Sequence, residues 1–166
     1  MFNKVLSVVL VTWGLFAIAQ AAKTVKGCEK QMSANLKKKL CDIRQYKIFD
    51  EPDMDKHMDC VMKTLKFVRA DGTGDYHQLI KPLNAIEKDR KHDFNLEKCG
   101  GDTMHLPVGK RANAYYKCLL NSSSSESFKK VFDLTELVKA GKLPATAPYS
   151  GAVEKLMKKI DQKICK

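Results

Sequence analysis

Six cysteines, at positions 28, 41, 60, 99, 118 and 165, follow an N-terminal stretch that reads as a cleavable secretory signal. A chain delivered to an oxidising compartment pairs its cysteines, and bridges spread over this much sequence tie its beginning, middle and end into one body. The leader has three parts: Lys4 supplies the positive end, Val5 to Ile18 is an almost unbroken apolar run, and Ala19-Gln20-Ala21 is the small-x-small pattern of a peptidase site. Its apolar run of about 14 residues falls short of the ~20 that a membrane-spanning helix needs. Residues 1–21 are therefore read as the signal and Ala22 as the first mature residue, leaving 145 residues, the size of one domain.

The gaps between cysteines are 12, 18, 38, 18 and 46 residues, and spacing does not choose among the 15 pairings that six cysteines permit. No Cys-x-x-Cys occurs, which argues against redox motifs and zinc ribbons. Loops this long restrict the unfolded chain, each bridge being worth about 2 to 4 kcal/mol.

The chain carries a net charge of +11, and +10 without the signal, where Lys4 is the one charged residue. A basic protein suits nucleic acid, heparin-like polysaccharide, anionic lipid or an acidic protein face. The lysines are dispersed, as at Lys37-Lys38-Lys39, Lys129-Lys130 and Lys158-Lys159, without an RNA-binding signature or zinc-finger spacing. Solvated helix faces are the plain reading, and neither a nucleic acid nor a membrane is expected as partner.

Helical period runs through almost all of the mature chain, with little two-residue alternation, so the expected class is all-α. Ser33 caps a helix presenting Leu36, Leu40 and Ile43, with Cys41 on its apolar side, that runs down near Tyr46 to Ile48. Pro52 and Asp53-Met54-Asp55 open a second, with Met54, Met58, Val61, Leu65 and Val68 in one stripe. Asp71 to Asp75 is a glycine-containing turn, and Tyr76, Leu79, Ile80, Leu83 and Ile86 mark a helix that must tolerate Pro82 or start after it. The charged stretch Glu87 to Asp93 leads to a short turn at Asn95 to Cys99, and Gly100-Gly101 with Pro107 read as a loop. Further helices carry Ala112 to Leu120, about Ser127 to Ala140, and Ser150 to Ile164.

Little supports catalysis. The chain has no Gly-x-Ser-x-Gly elbow, no His-Glu-x-x-His helix and no phosphate-cradling glycine loop, so an enzyme is not expected. His92-Asp93 is reminiscent of secreted phospholipases, but the adjoining cysteine pair is missing, and a surface loop is the reading. Asp71 to Asp75 lacks the glycine and terminal glutamate of a calcium loop, and His57, His77, His92 and His105 have no zinc spacing, so neither metal nor cofactor is expected. Asn121-Ser122-Ser123 is an N-glycosylation pattern in an exposed polar break.

Phe128 to Leu137 stands out, because Asp133 and Glu136 sit at i and i+3 on one helix face, where they repel unless a cation joins them. Ordinary surface pairing is one solution, Lys129 reaching Asp133 and Lys139 reaching Glu136. The other is a cavity that holds a ligand ammonium, buried only because paired charge and hydrogen bonds replace its water. An aromatic amine would suit such a site: Tyr116 and Phe132 offer walls for its ring, and His57 a hydrogen-bonding tip for a ring hydroxyl.

Cys41-Asp42-Ile43-Arg44, Met54 to Met62, Gly74-Asp75-Tyr76-His77, Asn95 to Cys99, Tyr116 to Leu120 and Phe128 to Leu137 together resemble the short-form D-seven salivary proteins of blood-feeding mosquitoes, members of the insect odorant-binding superfamily. The resemblance covers nearly the whole mature chain. It implies a single odorant-binding-like domain over residues 22–166, a disulfide-linked monomeric bundle of about seven or eight helices around a central pocket. It further implies secretion in saliva and scavenging of host serotonin, histamine and noradrenaline, opposing vasoconstriction, platelet aggregation and inflammation during feeding. By matching positions, Asp133 and Glu136 take the ammonium, His57 the ring hydroxyl or indole end, and Arg44 and Tyr116 complete the lining, with Phe132 as wall. The same resemblance implies bridges Cys28 with Cys60, Cys41 with Cys165 and Cys99 with Cys118. Ordinary odorant-binding proteins carry a Cys-x-x-x-Cys that this chain lacks. Family members also include inhibitors of the plasma contact system, so the alternative is an anticoagulant whose basic surface engages contact-system proteins or polyanions.

Overall fold

The computed structural model describes residues 24–166, so the signal read over residues 1–21 lies outside the described residues. The described residues form nine helices: α1 (Val25–Lys30), α2 (Ala34–Lys38), α3 (Leu40–Arg44), α4 (Pro52–Leu65), α5 (Tyr76–Ile86), α6 (Lys91–Thr103), α7 (Val108–Leu120), α8 (Ser125–Lys139) and α9 (Gly151–Ile164). None is long and apolar enough to cross a membrane.

The local signals act where the sequence places them. Ser33 accepts from the Leu36 amide at 3.2 Å, Asp75 caps α5 through the Gln78 amide, and Pro52 sits in the first turn of α4, where its missing N–H costs nothing. Pro82 lies inside α5, and Gln78, whose carbonyl loses its helical partner, is exposed so that water can replace the bond. Gly141 ends α8 at φ 65°, a left-handed conformation that favours glycine. Gly74 is needed for space instead, because a Cβ there would fall 2.4 Å from the Tyr115 ring, so only glycine lets the turn close over that buried tyrosine.

Two stretches depart from the sequence reading. The helix expected from Ser33 is two short ones, because Lys39 at φ −96° and ψ 5° leaves the helical path between α2 and α3. The turn and loop expected over Asn95 to Gly101 are the interior of α6. Two glycines weaken that helix locally, but His92, Asn95, Leu96, Cys99 and Thr103 bury one face and Cys99 is bridged to Cys118 on α7, so packing overrides propensity. His92 is correspondingly not on a surface loop: it is fully buried, with Nδ1 2.8 Å from the Ser124 hydroxyl and Nε2 2.9 Å from the Glu87 carbonyl. That network anchors the serine run before α8, where the Asn95 amide also donates to Ser123 and Ser124.

One core joins α1 to α8 through Met54, Met58, Val61, Met62 and Leu65 of α4, Tyr115, Tyr116 and Leu119 of α7, and Phe128, Val131 and Phe132 of α8. A smaller cluster, Leu137, Val153 and Met157, seats α9 against α8. The bridges join Cys28 to Cys60, Cys41 to Cys165 and Cys99 to Cys118, with no free cysteine. They fasten α1 to α4, α3 to the end of α9, and α6 to α7, so both ends of the described chain are held around the α4–α8 core.

Candidate functional site

Where α1, α3, α4, α7 and α8 converge, a cavity is lined by Val25, Ile43, Met58, Val61, Tyr116 and Phe132 on its apolar side and by Glu29, Arg44, Tyr46, His57, Asp133 and Glu136 on its polar side. Every ligand residue expected from the sequence, Arg44, His57, Tyr116, Asp133 and Glu136, borders it, together with Phe132.

The aromatic wall is a cluster. Tyr116 and Phe132 have ring centroids 5.8 Å apart, and Phe128 and Phe67 back them at 6.0 Å from Phe132. Such tilted and edge contacts are the favoured geometry for aromatic pairs and line one side of the cavity with rings.

Arg44 organises the charge. Its guanidinium donates to Glu136 Oε1 and Oε2 at 3.0 and 3.3 Å, to Asp161 Oδ1 of α9 at 2.8 Å and to Glu29 Oε1 of α1 at 3.4 Å. Its side chain is only 7% exposed, against 12% for Glu136, 18% for Glu29 and 31% for Asp161. Burial opposes its charge, but Glu136 and Asp161 more than offset that, and its pKa rises. One cation thus serves three carboxylates from three helices.

Asp133 stands outside the arginine fork. The Tyr46 hydroxyl donates to its Oδ1 at 2.5 Å and also to the Lys129 carbonyl at 3.1 Å. Burial pushes the Asp133 carboxyl up to about 6, against the lowering effect of the Tyr46 bond, and neighbouring Glu136 raises it further. The surface pairing considered from sequence does not form: Lys129 pairs with Glu126 at 2.8 Å and lies over the Tyr46 ring at 5.8 Å, while Glu136 belongs to Arg44.

His57 projects from α4 and is 7% exposed, and its Nδ1 is buried with no hydrogen-bond partner. Burial drives its pKa down to about 4, with the Cys28 backbone pulling weakly the other way, so the ring is neutral at physiological pH and offers one unused nitrogen.

Three residues of the site escaped the sequence reading. Tyr46 adopts φ 61°, a left-handed conformation disfavoured for tyrosine, just after α3, and nothing in the run Arg44 to Ile48 signals that its hydroxyl reaches α8. Glu29 and Asp161 are separated from Arg44 by 15 and 117 positions, beyond any local pattern. Asn121 is exposed at the C-terminal end of α7 and is not among the residues lining the cavity. Among the described residues, no three His, Cys, Asp or Glu side chains gather in a way that could hold a metal ion.

The chain matches the PBP/GOBP family over residues 17–122. It is 74% identical to short form salivary protein D7R1 of Anopheles gambiae, over 99% of both chains, and 62% identical to short form salivary protein D7R1 of Anopheles stephensi, over 100% of both. The crystal structure of the Anopheles gambiae D7R4–norepinephrine complex superposes with a TM-score of 0.84 at 50% identity, covering 86% of this chain and 99% of that one. An AeD7–leukotriene E4 complex superposes at 0.65 with 29% identity, over 77% of this chain and 45% of that one. With this bundle, these bridges and relatives that are salivary proteins, the chain is a secreted salivary protein of the PBP/GOBP family and belongs to its short-form D7 group.

Proposed function

We propose that this protein scavenges small aromatic amines of the host, serotonin, histamine and noradrenaline, by setting their ammonium against Asp133 and Glu136, and that it binds them without transforming them. The observation that carries this reading is the charge balance of the pocket. Glu29, Glu136 and Asp161 already share a single guanidinium, and Asp133, largely buried, has only a neutral phenol as its donor. A ligand ammonium supplies the missing positive charge where hydration is poor, which is where such a pairing gains most.

The remainder of the ligand follows from the walls. Tyr116 and Phe132 would flank the ring, and His57, with Nδ1 unused, would hydrogen-bond a ring hydroxyl or an indole N–H. The cavity measures about 30 Å³, room for a water or two, so a ring enters only as Tyr46 and Phe132 give way. The norepinephrine complex of a relative with the same fold supports an amine as ligand. Leukotriene E4, held by a more distant relative, is an anion, and a pocket whose one arginine is already shared by three carboxylates is poorly suited to it. Binding one for one, without turnover, would lower free amine at the bite and so oppose vasoconstriction, platelet aggregation and inflammation.

Calorimetry at pH 7.5 with serotonin, histamine, noradrenaline and 5-hydroxyindole-3-acetic acid tests the reading. The amines should bind one per protein and the acid, which replaces the ammonium with a carboxylate, should not. Comparable affinity for the acid would overturn the proposal.

A further inference from the structure

The outward face of α9 carries charge for which the amine pocket has no use. Lys155, Lys158, Lys159 and Lys163 are all exposed there, and none of them makes an ion pair within the described residues. The inner face is occupied by Val153, Leu156, Met157 and Ile160, while the two acids of the helix turn away from the stripe: Asp161 to Arg44 and Glu154 to the Tyr149 hydroxyl.

On other helices several lysines are paired one turn away along their own helix: Lys63 with Asp59, Lys91 with Glu87, Lys98 with Asp102 and Lys129 with Glu126. On α9, Lys155, Lys159 and Lys163 follow one another at i, i+4, a spacing at which like charges destabilise a helix.

We propose that this stripe binds a linear sulfated polysaccharide of the heparin type, laid along α9. The lysines span about 12 Å from Lys155 to Lys163 at the rise of an α-helix, a row of point charges suited to anionic groups repeated along a stiff chain. A lysine-only face offers a protein partner little to bury, since interface cores are depleted in lysine. It presents no exposed aromatic on which bases could stack. It carries no apolar wedge for a bilayer either, because none of the exposed large apolar side chains is on α9: Ile48 follows α3, and Phe94, Met104 and Val108 belong to α6, its end and α7. The stripe and the amine pocket lie on opposite sides of α9, so polysaccharide and amine bind together, and the protein would be retained in the host tissue matrix where mediators are released.

The test compares two charge-matched variants of the full mature chain, each lacking three lysines that make no ion pair: Lys155→Gln with Lys159→Gln and Lys163→Gln, and Lys81→Gln with Lys88→Gln and Lys110→Gln. Heparin affinity is measured by calorimetry across a salt series, with circular dichroism and serotonin binding reporting the integrity of each variant. The α9 variant should lose at least tenfold in heparin affinity and its salt dependence should fall by about two counterions, while the other triple stays within about twofold of the wild type. Equal losses in both variants would reduce the effect to net charge and overturn the proposal. Binding to phosphatidylserine vesicles as strong as to heparin would assign the face to a membrane and overturn it as well.

Discussion

Asp133 is the residue on which the pocket turns, because its carboxyl, pushed up to about 6 by burial, is half protonated just below neutrality. Between about 4 and 6 the folded protein holds this proton more tightly than the unfolded chain, so Asp133 makes folding less favourable as pH rises through that window, and the penalty persists above it. An ammonium needs the ionised form, so amine affinity runs the other way: it is full at pH 7.5 and falls by about tenfold at pH 5. His57, at about 4, stays neutral throughout that range and adds no titration of its own. Calorimetry from pH 5 to 8 checks this, and a flat profile would contradict it. His57 has a separate prediction: His57→Ala should weaken serotonin more than tryptamine, which lacks the hydroxyl, by about 0.5 to 1.5 kcal/mol. Equal losses for both ligands would make it a packing residue. Asp133, Glu136 and His57 were legible because they lie at helical spacing within motifs the family shares. Tyr46 was not, since a tyrosine gives no advance sign of positive φ, and its bond to Asp133 exists only after α3 has docked against α8.

At the scale of the element, α4, α5, α7, α8 and α9 were readable from period, caps and breakers, because their apolar stripes match the faces they bury. α6 was not. Gly100 and Gly101 read as a loop, yet the face formed by His92, Leu96 and Cys99 is fixed by partners on α7 and in the serine run that no local window contains. This has a testable side: a Cβ added at Gly101 meets nothing within 4 Å, and the residue is in ordinary helical conformation. Gly101→Ala should therefore stabilise the protein by about 0.5 to 1 kcal/mol in urea unfolding, by reducing the entropy lost on folding. A loss of stability would mean that α6 is not the continuous helix described. The opposite holds at Gly74, where alanine would collide with the Tyr115 ring.

For the whole molecule, the bridge between Cys41 and Cys165 has the widest reach. It closes a separation of 124 residues and holds α9 beside α3, where Asp161 meets Arg44. Replacing both cysteines by alanine should cost about 5 kcal/mol of stability in the loop-entropy model and loosen amine binding through the freed α9. Unchanged unfolding would show that the C-terminal helix is seated by its apolar face alone. Cysteine spacing left this pairing open, and only the family's motif positions pointed to it, because a bridge is chosen by which helices meet in space. The same holds for Glu29, Arg44, Glu136 and Asp161, four residues from four helices that become one ion cluster only in the assembled bundle.

The central claim is that Asp133 supplies the negative charge that an amine completes, and the substitution Asp133→Asn tests it most directly, since it keeps the shape and removes the charge. Titrating serotonin into wild type and variant at pH 7.5 should give one site in the wild type and a loss of about 2 to 5 kcal/mol in the variant. Equal affinity in the two proteins, with the fold intact, would contradict the account.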